Sequence, residues 1–404
     1  MLQRFAFIFV LLLFVPDAYI YWGYIKGKLK GKSRESRQSS IFNVQCSMSR
    51  LLWWLPSILL VIGFIAARYI GTDNPMSERQ GIIAWLGMLI LWLGVPKLIF
   101  MLVSLIGKLI HLIIKPVSEK PFNWAGIILA LCFFGIAFYG SIFGVAHFQI
   151  NEVDVHSSRL PKAFDGYRIV QISDIHSGSF NQRPGILKEM VKLVNEQQAD
   201  LIVFTGDLVN QRADEIDQFT DILSQMKAPD GVYSILGNHD YGNYFHWAKP
   251  EDEDINQEHL EKQQFNMGWK FLKNQHDVLY RGNDSIAIIG VENEGNPPFP
   301  QKADLPKASQ GTEGMYRILL SHDPTHWRKE VLPDTDIDLM LAGHTHGAQL
   351  KIFGWSPASW AYKEWGGMYQ EGNQSLYVNI GIGYVGLPFR FGAWPEVTVF
   401  TLHE

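Results

Sequence analysis

Two different patterns of hydrophobic residues divide the 404-residue chain. The first part carries four long apolar stretches, near residues 5–25, 51–70, 82–107 and 124–145. Each is close to the ~20 residues that span a bilayer as a helix. From about residue 167 the apolar runs are short and rich in Ile, Val and Leu, as in the buried strands of α/β proteins. The pattern predicts a transmembrane region over residues 1–148 and a second domain over residues 149–404.

Basic residues predict how the membrane region is oriented. The loop after the first apolar stretch contains Lys26, Lys28, Lys30, Lys32, Arg34 and Arg37. Such a loop is expected on the cytoplasmic side of a membrane. The loop around residues 73–79 is nearly neutral, and residues 108–120 are basic again. Four spanning helices with this alternation place the second domain outside the cytoplasm.

Two features of the membrane region leave alternatives open. The first stretch could be a cleaved signal peptide, but its length, the presence of Asp17 and the lack of a small-x-small site favour a retained helix. Lys97 follows Pro96 in the third stretch, where a mid-bilayer lysine costs roughly 2.5–3.5 kcal/mol. Lys97 either makes a polar contact inside the bundle, with Asp17 or a lipid headgroup, or extends towards the membrane surface. A re-entrant third stretch would put the second domain in the cytoplasm.

Charge and cysteine content restrict the chemistry of the second domain. Residues before 151 contain 14 Lys and Arg against 5 Asp and Glu, a net charge of +9, and the remaining residues carry −14. An acidic domain repels a polyphosphate backbone, so nucleic acid is not an expected partner. Both cysteines, Cys46 and Cys132, lie in the first part. The second domain therefore has neither a disulfide framework nor a cysteine-rich metal site.

Five apolar runs of the second domain end in residues that commonly bind metal ions. These residues are Asp174 and His176 after YRIVQIS, Asp207 after LIVFT, Asn238 after VYSIL, His322 after RILLS, and His344 and His346 after IDLMLA. Loops beyond strand ends are where layered α/β folds place their sites. Any one such residue is more commonly a turn or cap residue, but the ordered set predicts a metal centre. Its nitrogen and oxygen donors suit Mn, Fe, Zn or Mg.

The ordered motifs D-x-H, GD, GNHD, a single His and GHTH resemble the calcineurin-like metallophosphoesterase superfamily over residues 150–404. The flanking sequences look like its membrane-associated branch, near which lie enzymes acting on UDP-diacylglucosamine in lipid A synthesis. The resemblance implies an α/β (α+β layered) fold, a four-layer αββα sandwich after about four transmembrane helices. It also implies two divalent metal ions (Mn, Fe, Zn or Mg), with Asp174, His176 and His346 on the first, Asn238, His322 and His344 on the second, and Asp207 bridging them.

The resemblance also implies catalytic roles. A hydroxide between the metals would attack phosphorus, His239 would stabilise the transition state or protonate the leaving oxygen, and Asp240 would orient His239. Asn210 stands where the superfamily commonly has a second acidic residue after GDxx, and could still hydrogen-bond in the site. Arg390 in GLPFRFG is expected either to meet a substrate phosphate or to be an ordinary surface or ion-paired arginine.

The segment after GHTHG is unusually aromatic, with Phe353, Trp355, Trp360, Tyr362, Trp365 and Tyr369. It is expected either to grip an acyl chain or enter the headgroup layer, or to pack as ordinary sheet and loop residues.

The favoured function is a membrane-anchored, outward-facing phosphohydrolase acting on a phosphate ester or phosphoanhydride of a lipid or envelope compound. One alternative is a cytoplasmic pyrophosphatase of lipid A synthesis, and another is an inactive membrane scaffold with a phosphoesterase fold. The expected partners are a phosphate-containing small molecule or lipid and the bilayer, without an obligate protein partner.

Overall fold

The computed structural model describes residues 2–26, 40–69 and 76–404. The chain forms two compact units, Met1–Ser141 and Ile142–Glu404. Residues 27–39, which hold most of the predicted basic loop, and residues 70–75, which include the first part of the predicted neutral loop at 73–79, lie outside the described residues. Four long helices dominate the sequence up to residue 142: α1 Leu2–Ile20, α2 Ser40–Tyr69, α3 Met76–Ile113 and α4 Lys120–Ile142.

As far as the structure describes them, the four predicted apolar stretches are helical, but they differ in how clearly they qualify as membrane spans. Within the parts of the chain that the structure describes, Gly81–Ile113 and Lys120–Ala146 are long and apolar enough to cross a bilayer. Leu11–Ile25 and Leu51–Ala67 are shorter apolar helical segments. Two of the four stretches are therefore clear candidate spans among the described residues, and four spans stay a prediction.

Lys97 makes a polar contact inside the helical unit, one of the two alternatives that the sequence left open. Helix α3 continues through Pro96. The Lys97 Nζ atom donates a hydrogen bond to Asp17 Oδ1 at 2.7 Å. Ser57 Oγ donates to Asp17 Oδ2 at 2.5 Å, and both Asp17 and Ser57 are fully buried. Pairing removes most of the cost of placing either charge among apolar helices.

The second unit contains twelve strands in two six-stranded mixed sheets. The strands are β1 Gln149–His156, β2 Arg168–Ile172, β3 Leu201–Phe204, β4 Val232–Ser234, β5 Lys270–Phe271, β6 Gln275–Arg281, β7 Asp284–Gly290, β8 Tyr316–Leu320, β9 Leu339–Ala342, β10 Gly367–Glu371, β11 Gln374–Val378 and β12 Glu396–His403. The five apolar runs that the sequence predicted as strands correspond to β2, β3, β4, β8 and β9.

The strand order brings distant parts of the chain together. The first sheet has the order β1-β12-β2-β3-β4-β5, and the second has the order β10-β11-β9-β8-β7-β6. Strand β12 pairs in parallel with β1, with Gln149 opposite Glu396, and antiparallel with β2 on its other side. Strands β2, β3 and β4 are parallel, as are β7, β8 and β9, so the carboxyl ends within each group lie at one edge of their sheet.

Both faces of each sheet are buried, which explains why the central strands are apolar throughout. In β2, Ile169 belongs to the core between the sheets, whereas Val170 points the other way into a core with Met190. This alternation follows from the two-residue period of a strand. A third core on the far side of the second sheet includes Met340 and Trp327. Helices on these outer sides include α5 Gly185–Glu196, α6 Thr220–Leu223, α7 Pro250–Asn266, α8 Leu305–Ser309 and α9 Leu332–Asp334. The predicted α/β class is confirmed.

Candidate metal centre

The predicted ligands lie in five loops that follow the carboxyl ends of β2, β3, β4, β8 and β9. Backbone hydrogen bonds join neighbouring loops. Asp174 N donates to Gly206 O at 2.9 Å, and Gly343 N donates to His322 O at 2.9 Å. The first three strands belong to one sheet and the last two to the other, so both sheets contribute to one site.

The structure brings all seven predicted ligands together. Asp174, His176 and His346 form one cluster and Asp207, His322 and His344 a second, with the ligand atoms of each cluster within 4.8 Å of one another. The seventh residue, Asn238, places Oδ1 2.7 Å from His344 Nδ1. Both clusters consist of nitrogen and oxygen donors, which suit the divalent ions expected from the sequence.

Hydrogen bonds to backbone carbonyl groups fix the tautomers of two histidines so that their Nε2 atoms can bind a metal ion. The Nδ1 atoms of His176 and His322 lie 3.2 Å from Val209 O and 2.7 Å from Thr205 O. A carbonyl only accepts, so each Nδ1 carries the proton and the Nε2 of a neutral ring is an acceptor. These Nε2 atoms lie 3.6 and 3.2 Å from Asp207 Oδ2. Three acceptors facing one another need positive charge between them.

The pKa shifts point to the same need. Burial lowers the pKa of His176 well below its ordinary value, and burial also lowers the pKa of His344, so both rings favour the neutral form that binds metals. Burial opposes protonation of His322, but the Asp207 carboxylate outweighs it and raises the pKa of His322 to about 10. These donors fit a dinuclear metal centre in which Asp207 lies between the two clusters.

Five of the ligands have left-handed backbone conformations. The φ angles lie between 47° and 74° for Asp174, His176, Asp207, His344 and His346. This region costs an L-residue roughly 1–2 kcal/mol, and such strain is concentrated at functional sites. Gly343 allows a close approach between the loops after β9 and β2, because a Cβ atom there would lie 2.0 Å from Ser173 Oγ.

The Asp240 carboxylate hydrogen-bonds to backbone N–H groups and not to the His239 ring, which it was predicted to orient. The Asp240 carboxylate is fully buried and accepts hydrogen bonds from four backbone N–H groups, those of Asp207, Leu208, Val209 and Gly237, at 2.8–3.2 Å. It therefore holds the two ligand turns together. The His239 ring instead places Nδ1 2.6 Å from Asn210 O. A backbone carbonyl fixes the tautomer, with Nε2 free.

The other two predicted contact residues, Asn210 and Arg390, both hydrogen-bond to histidines of the site. The Asn210 side chain donates from Nδ2 to Ser179 Oγ at 3.0 Å, so its contribution to the site is the carbonyl that holds His239. Arg390 is fully buried and donates to three backbone carbonyls, those of Ile380, Gly383 and Ala393. Its Nη2 also lies 3.0 Å from His346 Nδ1. Arg390 thus contacts the ring of the predicted ligand His346. Its buried position gives no support for a contact with substrate phosphate.

Several residues around the centre were not predicted as site residues. Tyr362 OH lies 2.7 Å from His344 Nε2, and Tyr244 OH accepts from Asn238 Nδ2 at 2.8 Å. The Tyr244 ring also stacks on His239, with ring centroids 4.2 Å apart. Asp323 is fully buried, with Oδ2 3.6 Å from His344 Nε2. Its position directly after His322 was the available sequence signal.

Two Asp/His clusters at the strand ends of an α/β unit, with the Asp207 carboxylate near both, fit a dinuclear metal site. Comparison with protein families identifies the reaction: residues 167–348 match the calcineurin-like phosphoesterase family. Residues 3–145 match a family described as a probable calcineurin-like phosphoesterase transmembrane domain.

Individual relatives agree with this classification. YkuE of Bacillus subtilis, named an uncharacterized metallophosphoesterase, is 33% identical over 63% of this chain and 85% of its own length. A transmembrane protein with a metallophosphoesterase domain from Danio rerio is 30% identical over 67% of this chain and 60% of its own. The chain belongs to the calcineurin-like phosphoesterase family, and it is a metal-dependent phosphoesterase with a membrane-associated N-terminal region. Among solved structures, a phosphopantetheinyl hydrolase from Mycobacterium tuberculosis matches at 14% identity and a TM-score of 0.34, covering 55% of this chain and 91% of the other.

Proposed function

We propose that the protein is a membrane-anchored, dinuclear-metal phosphohydrolase that cleaves a phosphate ester or phosphoanhydride in a lipid or envelope compound. The observation that carries the proposal is the position of Asp207 Oδ2, which faces the acceptor nitrogens of both His176 and His322. One carboxylate oxygen between two clusters is the arrangement that two neighbouring cations require. The membrane-associated region supports a substrate at or near the bilayer.

Asp174, His176 and His346 would hold the first ion, and Asn238, His322 and His344 the second, with Asp207 shared. When bound, two such ions stabilise charge on phosphoryl oxygens and favour ionisation of water at neutral pH. His239 lies at the edge of the site, partly exposed, and its Nδ1 bond to Asn210 O leaves Nε2 available to substrate. When the ring is protonated at both nitrogens, the Nε2–H group would give its proton to the leaving oxygen, and the ring would return to the form held by Asn210 O.

Hydrolysis by the full chain in lipid nanodiscs tests this function. We expect dialysis against EDTA to lower turnover of an aryl phosphate at least about 100-fold, because the ligands alone provide no stabilisation for the phosphoryl charge. Separate addition of Mn²⁺, Zn²⁺, Mg²⁺ or Fe²⁺ should restore it and rank the metals. Dialysis without EDTA is the control. Parallel assays with an aryl phosphodiester, a lipid pyrophosphate and a UDP-linked diacyl sugar identify the substrate class. Unchanged turnover in protein shown to be metal-free, or no hydrolysis of any substrate by loaded protein, would contradict the proposal.

We further propose that all four N-terminal helices span the membrane and that the catalytic unit faces away from the cytoplasm. The match to a transmembrane domain family and the predicted positive-inside alternation support this arrangement. Three spans would then separate the basic loop from the catalytic unit, so the two lie on opposite sides of the membrane. If only α3 and α4 span, the two lie on the same side.

Single-cysteine labelling distinguishes these topologies. In a chain with Cys46→Ser and Cys132→Ser, we expect Phe265→Cys, an exposed position on α7, to react with an impermeant maleimide in intact cells. Ser33→Cys in the basic loop should react only after permeabilisation. Equal labelling of both positions in intact cells, or of neither, would indicate an even number of spans between them. The reverse labelling pattern would place the catalytic unit in the cytoplasm.

A further inference from the structure

An exposed turn beside the metal centre has an unusual residue at its tip. Ile352 N donates to Trp355 O at 2.8 Å and Trp355 N donates to Ile352 O at 3.0 Å, which closes a two-residue turn over Phe353 and Gly354. Both turn residues have positive φ angles, 51° and 83°. Asn, Asp and Gly are preferred in such a turn. Phe353 is nevertheless fully exposed, at 105% of its reference area.

Phe353 at this position does not help the domain fold. A left-handed conformation costs an L-residue roughly 1–2 kcal/mol, and an exposed phenyl ring recovers none of it through burial. Asparagine or glycine would make the same turn at lower cost. A strained and exposed aromatic side chain therefore indicates a contact outside the domain.

Two tryptophans extend the exposed surface. Trp355 and Trp360 are 44% and 80% exposed, and their ring centroids lie 5.2 Å apart. We call Phe353, Trp355 and Trp360 together the aromatic turn. Single exposed apolar residues are common, but three neighbouring aromatic rings form a patch of the kind found at interaction sites. Indole rings favour the headgroup region of membranes, where an apolar ring carries one polar N–H group.

The charge of the segment that carries the aromatic turn favours an anionic bilayer as its partner. Residues 350–363 contain Lys351 and Lys363 and no Asp or Glu, whereas residues 151–404 together carry a net charge of −14. Most of the catalytic unit is thus unsuited to an anionic membrane, while this segment is suited to one. The candidate membrane spans in α3 and α4 would also place a bilayer close to this domain, since both belong to the same chain.

The aromatic turn is fixed to the metal-ligand loop. Ser356 Oγ donates to Gly347 O at 2.6 Å, and Thr345 Oγ1 donates to Trp365 O at 2.6 Å. Tyr362 OH contacts His344 Nε2 at 2.7 Å. The segment carrying the exposed rings is therefore bonded on both sides to residues of the GHTH loop.

We propose that the aromatic turn inserts into the interfacial layer of a bilayer that contains anionic lipids. Phe353, Trp355 and Trp360 would enter the boundary between headgroups and acyl chains, with Lys351 and Lys363 at the level of the lipid phosphates. The metal centre would then meet phosphate groups at headgroup depth, and this last step rests on the proposed function. The contact itself does not depend on catalysis.

Spin-label depth measurements on the full chain test the contact. In the Cys46→Ser and Cys132→Ser background, Phe353→Cys and Trp360→Cys are labelled with a nitroxide in nanodiscs of phosphatidylcholine and phosphatidylglycerol. Phe265→Cys is the matched control, since Phe265 is 78% exposed on the acidic helix α7. We expect the ratio of oxygen collisions to collisions with a water-soluble nickel chelate to be at least about threefold higher at 353 and 360 than at 265. Charge reversal by Lys351→Glu with Lys363→Glu should lower the ratio at both positions.

The remaining outcomes each decide against the proposal. Nickel accessibility at 353 and 360 equal to that at 265 would show that the turn lies in water. Protection from both oxygen and nickel would show that it packs against protein, such as a second copy of this chain. Each labelled variant is compared with the unmutated chain for melting temperature and metal content, so a folding defect is recognised. The same preparations are assayed with a soluble aryl phosphate, which separates failure of the proposed hydrolysis from failure of the membrane contact.

Discussion

Replacing Asp207 with asparagine is expected to lower kcat on an aryl phosphate by at least about 10³-fold, with the fold retained. Asp207 Oδ1 accepts a hydrogen bond from His239 N at 2.8 Å, while Oδ2 faces His176 and His322. If the asparagine carbonyl keeps the bond to His239, its NH₂ group takes the place of Oδ2. A donor without charge then points to where both cations would bind. Metal analysis should show a loss of bound ions, and kcat measured with saturating metal should stay low.

Asp217→Asn is a suitable control for this variant. Asp217 is also an aspartate beside histidine, with Oδ1 2.7 Å from His259 Nε2, but its side chain is 47% exposed and lies outside both ligand clusters. Its replacement should leave metal content and kcat within about twofold, as expected for an exposed pair. An Asp207→Asn protein that binds two ions per chain and turns over at a rate close to that of the original would refute the bridging role.

Replacing Asp240 with asparagine should mainly destabilise the catalytic unit. The carboxylate accepts from four buried N–H groups, and an amide offers only one oxygen while pointing its own N–H groups at the others. Unsatisfied buried donors cost about 1–3 kcal/mol each, so we expect the melting temperature to fall by about 10 °C or more, with a loss of bound metal. Burial and the Asp207 charge raise the pKa of Asp240 to about 7. The melting temperatures should therefore be measured at pH 8, where Asp240 is ionised and can accept all four hydrogen bonds.

This result separates the two roles considered for Asp240. If its only task were to orient His239, Asp240→Asn would lower kcat without changing melting temperature or metal content. Asp154→Asn provides the control for stability, since the Asp154 side chain is 71% exposed and pairs with His403 at 3.4 Å. That variant should melt within about 1 °C of the original protein.

The strands and ligands were predictable because both leave a signal in short stretches of sequence. Buried strands appear as apolar runs, and the ligands follow these runs directly. A strand covered on both faces must be apolar throughout, so β2, β3, β4, β8 and β9 appear as short apolar runs. The polar residues that end those runs occupy neighbouring loops because β2, β3 and β4 are parallel to one another in the first sheet, as are β8 and β9 in the second. The order of the motifs along the chain, together with the family resemblance that they carry, was therefore enough to select seven residues that the fold places together.

Hydrogen-bond partners were not predictable in the same way. The sequence places Asp240 next to His239, yet successive side chains in the turn point to different groups, and the carboxylate reaches backbone N–H groups of another loop. Arg390 is charged, which suggested contact with phosphate, but three carbonyls satisfy it inside the domain. Backbone groups have no sequence signature, so roles that depend on them emerge only from the structure. The two shorter apolar helices show a related limit, since hydropathy alone does not distinguish a short span from a packed helix.

The position of β12 has a consequence for biosynthesis. It lies inside the first sheet, between β1 and β2, so the sheet closes only when residues 396–403 have left the ribosome. The N-terminal helices have already been synthesised at that stage. Until β12 pairs, the nascent chain exposes the edges of β1 and β2. All seven ligand residues are also made before this closure. Such late, long-range pairing makes folding slow and the growing chain prone to aggregation. A chain that stops before residue 396 would leave β1 without its partner.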